Sequence, residues 1–498
     1  MNYKTLKCSM FAVLGAFAFS ACTNLEPEIR DSQLREGAGG VFVPGDPAEA
    51  LVTSYKDLGA FTDQANIYAL LDHTSDEMIP PTRGTDWGDN GVWRTLHQHT
   101  WDATHSYVLA SWNQLNERVY RCNQVLASNP NAQQAAEAKF LRAFFMFHVM
   151  DLFGQVPFRN VDEGVEVNPK VYTRSEAFDV ITRDLEEALP NLPNTGPSAT
   201  NSKATKAAAN ALLARLYLNK AVYKAASASG PYTFDAADMN KVISYCDAVT
   251  AAGYNLESNY FTNFSTSASS EVIFTSAEGS PQNRWFMTLH YDQNPSGWNG
   301  FTTLADFYDK FENSDQRKGV AAAHNGATFS GIGRGFLEGQ QYKDNGDVII
   351  NSRNGLPLQF TRDVPLAGAS SEKGIRVIKY HPSDAGQYIL LRYADVYLMK
   401  AEAIMRGGSA GTSALDMVNT LRSTRGASAL SSLTEANMLD ERGRELYWEG
   451  NRRTDQIRFG TWTSTWSYKT VTDPARVLFP IPQQALDSNP NLKQNDGY

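Results

Sequence analysis

Apolar residues recur at three- and four-residue spacing through 47–73 and 104–128, the period of a helix with one buried face. The segment AAEAKFLRAFFMFHVMDLFG, 135–154, is apolar nearly all round, which predicts a central helix buried on every side. Gly154 and Pro157 punctuate its end. The same period predicts helices at 173–189, 203–226 and 236–251, the last behind the turn residues Gly230 and Pro231. Two segments read as helix hairpins. In LLRYADVYLMKAEAIMRGG, Leu390, Ala394, Tyr397, Ala401 and Ile404 line one face, and the turn GGSAG leads into a second helix, ALDMVNTLRSTRG. In KATKAAANALLARLYLNKAVYK, Ala207, Ala208, Ala211 and Ala214 let a neighbouring helix approach closely.

Paired helices of about 34 residues with small residues at their crossings follow the logic of the tetratricopeptide repeat. The full repeat consensus is not met, so the units are degenerate. Between about 255 and 385 the texture changes: Gly, Ser, Asn, Asp and Pro dominate, and strand-like runs such as EVIFTSA and DVIIN are short. A loop-rich stretch of that length inside a compact chain is usually functional. The expectation is a mainly α, tetratricopeptide-like helix-pair scaffold over 47–254 and 386–498. A loop-rich insertion at 255–385 carries short strands, and 47–498 form one domain.

The N-terminus adds an address. MNYKTLKCSMFAVLGAFAFSAC pairs Lys4 and Lys7 with an uncharged run that is too short to span a bilayer. It ends in Phe19-Ser20-Ala21-Cys22, which resembles a bacterial lipobox. Residues 1–21 are then a signal peptide, Cys22 is the lipidated residue, and the polar, Gly- and Pro-punctuated 22–46 is a tether. An ordinary secretory signal cut near Ala21 is the blander reading. Losing residues 1–21 removes two lysines and no acid, making the mature chain more negative than the −9 of the whole. An acidic chain without a basic stripe argues against nucleic acid as partner. Of four cysteines, Cys122 and Cys246 remain in the domain, either bridged to each other or, more in keeping with their spacing, as buried thiols.

Aromatic residues make up 11% of the chain, more than a core requires. DWGDNGVW, 86–93, places Trp87 and Trp93 among turn formers, where a tryptophan is hard to bury. NRWFMTLHYDQNPSGWNGF sets Trp285, Tyr291 and Trp298 among Asn283, Asp292, Gln293 and Asn299.

FLRAFFMFHVMDLFGQVPF, YILLRYADVYLMKAEAI, LDERGRELYWEGNRRTDQIRFG and the terminal FPIPQQALDSNPNLKQNDGY resemble, in order, the signature segments of the SusD/RagB-like lipoproteins. The resemblance covers essentially the whole mature chain. It implies four tetratricopeptide-like helix pairs scaffolding a loop-rich glycan-binding half. It also implies a lipid anchor in the outer membrane, an oligosaccharide or polysaccharide ligand, and a SusC-like TonB-dependent transporter as partner. Within that frame, Trp87, Trp285, Trp298 and Tyr291 are expected to stack on sugar rings, with Trp93 a weaker candidate. Asp86, Asn299 and Arg83 are expected to bond hydroxyls, with Arg353 and Asn354 as weaker polar candidates. A pyranose C–H face against an indole buries area and matches the ring quadrupole, provided the rings stand exposed and nearly coplanar.

Other chemistries fare worse. Glu441, Glu445 and Glu449 share a helix face with Arg442, Arg444, Arg452 and Arg453 around them, so a salt-bridge lattice is expected rather than general acids. A surface glycoside hydrolase, which needs a carboxylate pair flanking a cleft, is the competing class. Capture of a non-carbohydrate nutrient such as peptide is the alternative within the same fold. His97, His99 and His105 lack a metal-binding motif. No cofactor is expected. DWGDNG and KDNGD offer hard oxygens for a structural calcium, yet neither matches the twelve-residue calcium loop.

Overall fold

The computed structural model describes residues 35–36, 42–164, 166–279 and 281–498. The signal segment 1–21, Cys22 and most of the tether lie outside the described residues. The chain is mainly α, with 43% of residues helical and 11% in strands. No helix among the described residues is long and apolar enough to cross a membrane.

The scaffold helices are α1 (Pro47–Lys56), α2 (Asn66–Asp72), α3 (Val92–Gln98), α4 (Ser106–Ala127), α5 (Ala132–Phe153), α6 (Arg174–Ala188), α7 (Lys206–Leu218), α8 (Ala236–Ala251), α9 (Tyr393–Met405), α10 (Ala414–Thr424), α11 (Glu435–Leu446) and α12 (Arg452–Arg458). Each of α4 to α9 packs on the next helix of this series, α8 and α9 doing so across the loop-rich insertion, so a row of helix pairs forms. Their starts are built from sequence. Asn131 with Gln134, Thr173 with Glu176 and Thr434 with Asn437 form capping boxes, each satisfying backbone donors that a helix start leaves open. Gly154, at φ 71°, ends α5 in the left-handed conformation that glycine adopts without strain. From Phe140 to Phe153 all but one side chain of α5 is buried, so this helix is the hydrophobic centre. Ala207, Ala208, Ala211 and Ala214 of α7 are buried where α8 and α9 pack against it.

Three local expectations are corrected. The 47–73 pattern is two helices separated by a 3₁₀ turn at Asp57–Thr62, with extended backbone at Asp63 ending the turn. Leu390 belongs to the strand Tyr388–Arg392, antiparallel to Val272–Ser276, and the helix begins only at Tyr393. Both strands are buried almost throughout, and short apolar runs of that kind lack a diagnostic period. DVIIN forms only isolated bridges, Tyr342 to Val348 and Ile350 to Pro357, the latter residue lacking an N–H to extend a ladder. In the same half, Trp285 lies on a short helix, Gln282–Phe286.

Between α8 and the strand Tyr388–Arg392 no described helix exceeds five residues. This half is tied to the scaffold by buried charge. Glu445 lies 2.8 Å from Arg392, 2.8 Å from Arg425 and 3.1 Å from Arg317. Glu441 meets Arg317 and Arg422 at 2.7 Å and Arg444 at 2.6 Å, and Glu449 bonds Arg392 and Lys379. Glu271, beside the inner strand, completes the set through Arg392 and Arg425. Burial alone would raise these carboxyls. The guanidiniums outweigh it, holding Glu445 well below the usual range and Glu441 at about 2. The lattice expected from the sequence is thus present, and it joins loops to helices as well as helix to helix.

A second set of buried charges runs between helices. Asp395 on α9 pairs with Arg215 on α7 and Arg442 on α11, while Glu402 on α9 pairs with Arg458 on α12. Cys122 and Cys246 are free, buried thiols, and burial pushes Cys122 up to about 12.

Candidate functional site

Two loops that are distant in sequence converge beside α3. The early one turns tightly, with Arg83 and Asp86 exchanging backbone hydrogen bonds of 2.9 Å. It then runs through a left-handed stretch, with φ of 61° at Trp87, 37° at Asp89, 54° at Asn90 and 84° at Gly91. A bulky side chain in that region costs backbone energy. The cost is met locally, because the Trp87 indole N–H donates to the Trp298 carbonyl at 3.0 Å. Trp298 sits on the second loop, which is folded back so tightly that a Cβ at Gly297 would meet the Leu289 carbonyl oxygen at 2.3 Å. The Trp87 ring lies directly over Gly300, where a Cβ would meet Cζ2 at 2.3 Å.

The result is a row of aromatic rings at the surface. Trp87 and Trp298 have ring centroids 6.4 Å apart, and Phe286 lies 5.1 Å from Trp298. Trp298 is 50% exposed, while Trp87 and Phe286 are half-buried. The indole planes are inclined by 54°, not coplanar as the sequence reading required. Beside the row, the Tyr291 hydroxyl donates to Asp86 at 3.0 Å. Arg353 lies 4.8 Å from the Tyr291 ring centroid and 3.6 Å from the Asp86 carboxylate. Tyr291, Asp86 and Arg353 therefore form one polar edge, and Asn354 is exposed on the neighbouring turn. Burial is the main cause of an upward shift at the Tyr291 phenol, and it holds His290 at about 4, neutral at physiological pH.

Other candidates are turned inward. Trp93 is 3% exposed and packs behind Trp87 at 5.6 Å, its N–H held by Asp89 at 2.6 Å. Arg83 is buried and donates to the carbonyls of Ser370 and Lys373, at 2.6 and 2.7 Å. Asn299 is fully buried between Ser371 and Arg376, at 2.8 and 2.6 Å. These three side chains fix the loops and do not reach the surface: Trp93 and Asn299 bond to neighbouring groups, and the Arg83 guanidinium is drawn inward by two main-chain carbonyls. Trp285 makes no ring contact with the row. It faces a separate cleft, since successive helical residues diverge by about 100°. Phe286, absent from the candidates that the sequence offers, is the ring that joins Trp298; the aromatic pair Trp285-Phe286 is the available signal, but only the helical phase decides which of the two turns toward it.

No three residues among His, Cys, Asp and Glu converge as metal ligands among the described residues. The ring nitrogens of His97 lie 3.1 and 2.9 Å from the carbonyls of Met78 and Ser467, and His99 faces Thr74 at 2.7 Å. The hard oxygens of the two Asp-rich turns are not gathered either. Asp89 binds Trp93, and Asp344 accepts from Phe329, Gly331 and Asn294.

The SusD family model matches residues 247–472, and a model described as starch-binding associating with outer membrane matches 55–218. The starch-binding protein SusD of Bacteroides thetaiotaomicron is 25% identical, with both chains covered completely. The chain belongs to the SusD/RagB-like family. A SusD-like protein of Formosa agariphila, P25, is 26% identical over 78% of this chain and 79% of its own. Among solved structures, a laminarin-binding SusD-like protein superposes with a TM-score of 0.68 at 21% identity, covering 91% of this chain and 99% of that one. Surface glycan-binding protein A of Bacteroides thetaiotaomicron, in complex with laminarihexaose, gives 0.65 at 20% identity over 90% and 98%. These superpositions establish the SusD-like fold, including the helix-pair scaffold.

Proposed function

We propose that this SusD-like chain is a surface lipoprotein, anchored in the outer membrane through lipid on Cys22, that captures oligosaccharide or polysaccharide and delivers it to a SusC-like TonB-dependent transporter. The observation that carries the binding step is the meeting of Trp87 and Trp298, 211 positions apart, in one exposed aromatic row beside a polar edge. Trp298, Trp87 and Phe286 supply faces for sugar C–H groups. Asp86, Tyr291 and Arg353 supply hydroxyl partners. Each stacked ring contributes about 1–2 kcal/mol, by analogy with aromatic pairs and buried area, so a few contacts reach micromolar to millimolar affinity. The inclined indoles suit a chain whose successive sugar faces turn.

The relatives' names, starch-binding SusD and laminarin-binding SusD-like protein, support the ligand class. The phrase "associating with outer membrane" in the matched family description supports the address. Binding without catalysis fits the carboxylates described above: Glu441 and Glu445 are buried and neutralised by arginine, which disqualifies them as general acids. Migration in native gels containing starch, laminarin or other polysaccharides tests the reading. Retardation by at least one glycan without release of reducing ends is expected. Release of reducing ends, or no retardation across the panel, overturns it.

A further inference from the structure

On the other side of the Gln282–Phe286 helix lies an open cleft of about 510 Å³, within the range of small-molecule sites. Its walls come from three places: the loop before α7, the end of the strand Val272–Ser276, and the turn leading into Tyr388–Arg392. Trp285 forms one wall. Part of the indole packs on the apolar cluster containing Leu289, Ile332 and Ile378, and the half-buried remainder borders the cleft. Its N–H has no hydrogen-bond partner among the described residues. The lining also includes residues too small to cover a ring, Ala277 and Ala385 among them, and the hydroxyl-bearing Thr200 and Ser383. The charged residue in the lining, Asp384, is already paired with Arg334 at 2.8 Å.

A half-buried indole at the cleft wall, a donor unpaired among the described residues, small lining residues and hydroxyls without unpaired charge define a narrow ligand class. The ligand must present one weakly apolar face and polar edges, and must carry no charge that needs a counter-ion. We propose that the Trp285 cleft is a second carbohydrate subsite, taking an uncharged sugar ring independently of the Trp87–Trp298 row. Its ligand class rests on the glycan-binding reading above; its independence rests on the cleft's own walls. Two such sites separated by one short helix make a polymer bivalent, raising its apparent affinity over that of a short oligosaccharide when the chain spans both.

The test uses the full folded protein with ¹⁵N-labelled tryptophan, reading indole N–H resonances during titration with glucose, galactose, mannose and xylose, and with glucuronate as the charged control. Sugar concentrations of ~10–100 mM match the millimolar range that about 4 kcal/mol provides. Trp285 is assigned by its loss in Trp285→Phe. The Trp285 signal is expected to shift with at least one neutral sugar and to keep its midpoint within about twofold in Trp298→Ala. It should lose about tenfold in affinity (~1.4 kcal/mol) in Ala385→Leu, which narrows the cleft while leaving the reporter in place. A Trp285 signal that stays fixed while that of Trp298 moves overturns the subsite and leaves the aromatic row standing. Loss of the Trp285 response in Trp298→Ala overturns the independence, and an equal response to glucuronate overturns the neutral-ligand class. If neither indole moves with any sugar, both readings fall.

Discussion

The charge lattice around α11 and the aromatic row of the loop half invert the usual placement of side chains, and they do so to opposite ends. Around Glu445 the polar groups are inside, and each carboxylate is met by two or three cations. Nothing there is left to act on a ligand. At Trp298 an apolar side chain is outside, its ring half-exposed and its own carbonyl occupied in holding Trp87. Residue type alone would place the chemistry at the glutamates and the packing at the tryptophans. Environment reverses the assignment: saturation removes the lattice from function, and exposure of an open ring face makes the row available.

The largest expected effect breaks the lattice. Glu445→Ala leaves Arg317, Arg392 and Arg425 buried with a missing partner, and removing one member of a buried pair costs about 3–5 kcal/mol. Chemical denaturation should register a loss of that order, while protein that remains folded still binds glycan. Trp93→Ala tests the backing of the row. A fully buried indole costs about 3–5 kcal/mol on truncation, so both stability and binding should fall together.

Binding separates from stability at the surface. Gly300→Ala removes no aromatic ring but drives a Cβ into Trp87. Glycan binding measured by titration calorimetry should weaken while the far-ultraviolet helix signal stays intact. Asp86→Ala should cost about 0.5–1.5 kcal/mol of affinity, the value of a net hydrogen bond, by releasing Tyr291 and Arg353.

The pH dependence sharpens the same contrast from the stability side. Arg458 and its neighbours hold Glu402 at about 2 against the burial that would raise it, and Glu441 is likewise at about 2. Unfolded glutamate titrates near 4.3, so depressed folded values mean stability that is fully present above about pH 5 and is lost as pH falls through about 2. Asp72 has the opposite sign. Buried beside Glu77, it is raised to about 6 by burial, so its contribution is present below ~3.9 and lost as pH rises through about 6. Asp72→Asn should therefore flatten the stability profile between roughly pH 4 and 6 and leave the acid limb unchanged, as measured by denaturant midpoints.

Legibility in the sequence followed periodicity. α5 and the α9–α10 pair announced themselves through long runs of one period, and the Glu441–Arg453 segment through dense opposite charge, although its helix ends at Leu446 and Glu449 falls on the turn before α12. Tyr388–Arg392 did not, because a five-residue run buried on both faces carries no period that separates strand from helix. At the candidate site the two loops were identifiable from tryptophan set among turn formers. Which ring faces outward was not, since that depends on the left-handed turn at Trp87 and the helical phase of Trp285 and Phe286. The inward turn of Arg83 and Asn299 was equally hidden. Arg83 meets the main-chain carbonyls of Ser370 and Lys373, nearly 300 positions away, and Asn299 meets the Ser371 carbonyl and the Arg376 side chain, about 75 positions away.

The central claim is that an exposed indole, not a buried one, carries ligand capture. It is tested most directly by measuring glycan affinity and unfolding midpoint on the same preparation of Trp298→Ala, using whichever polysaccharide retards the unmutated protein. Affinity should fall about 5- to 30-fold, as ~1–2 kcal/mol requires, with stability changed by less than about 1 kcal/mol. Unchanged affinity in a folded Trp298→Ala protein would contradict the account.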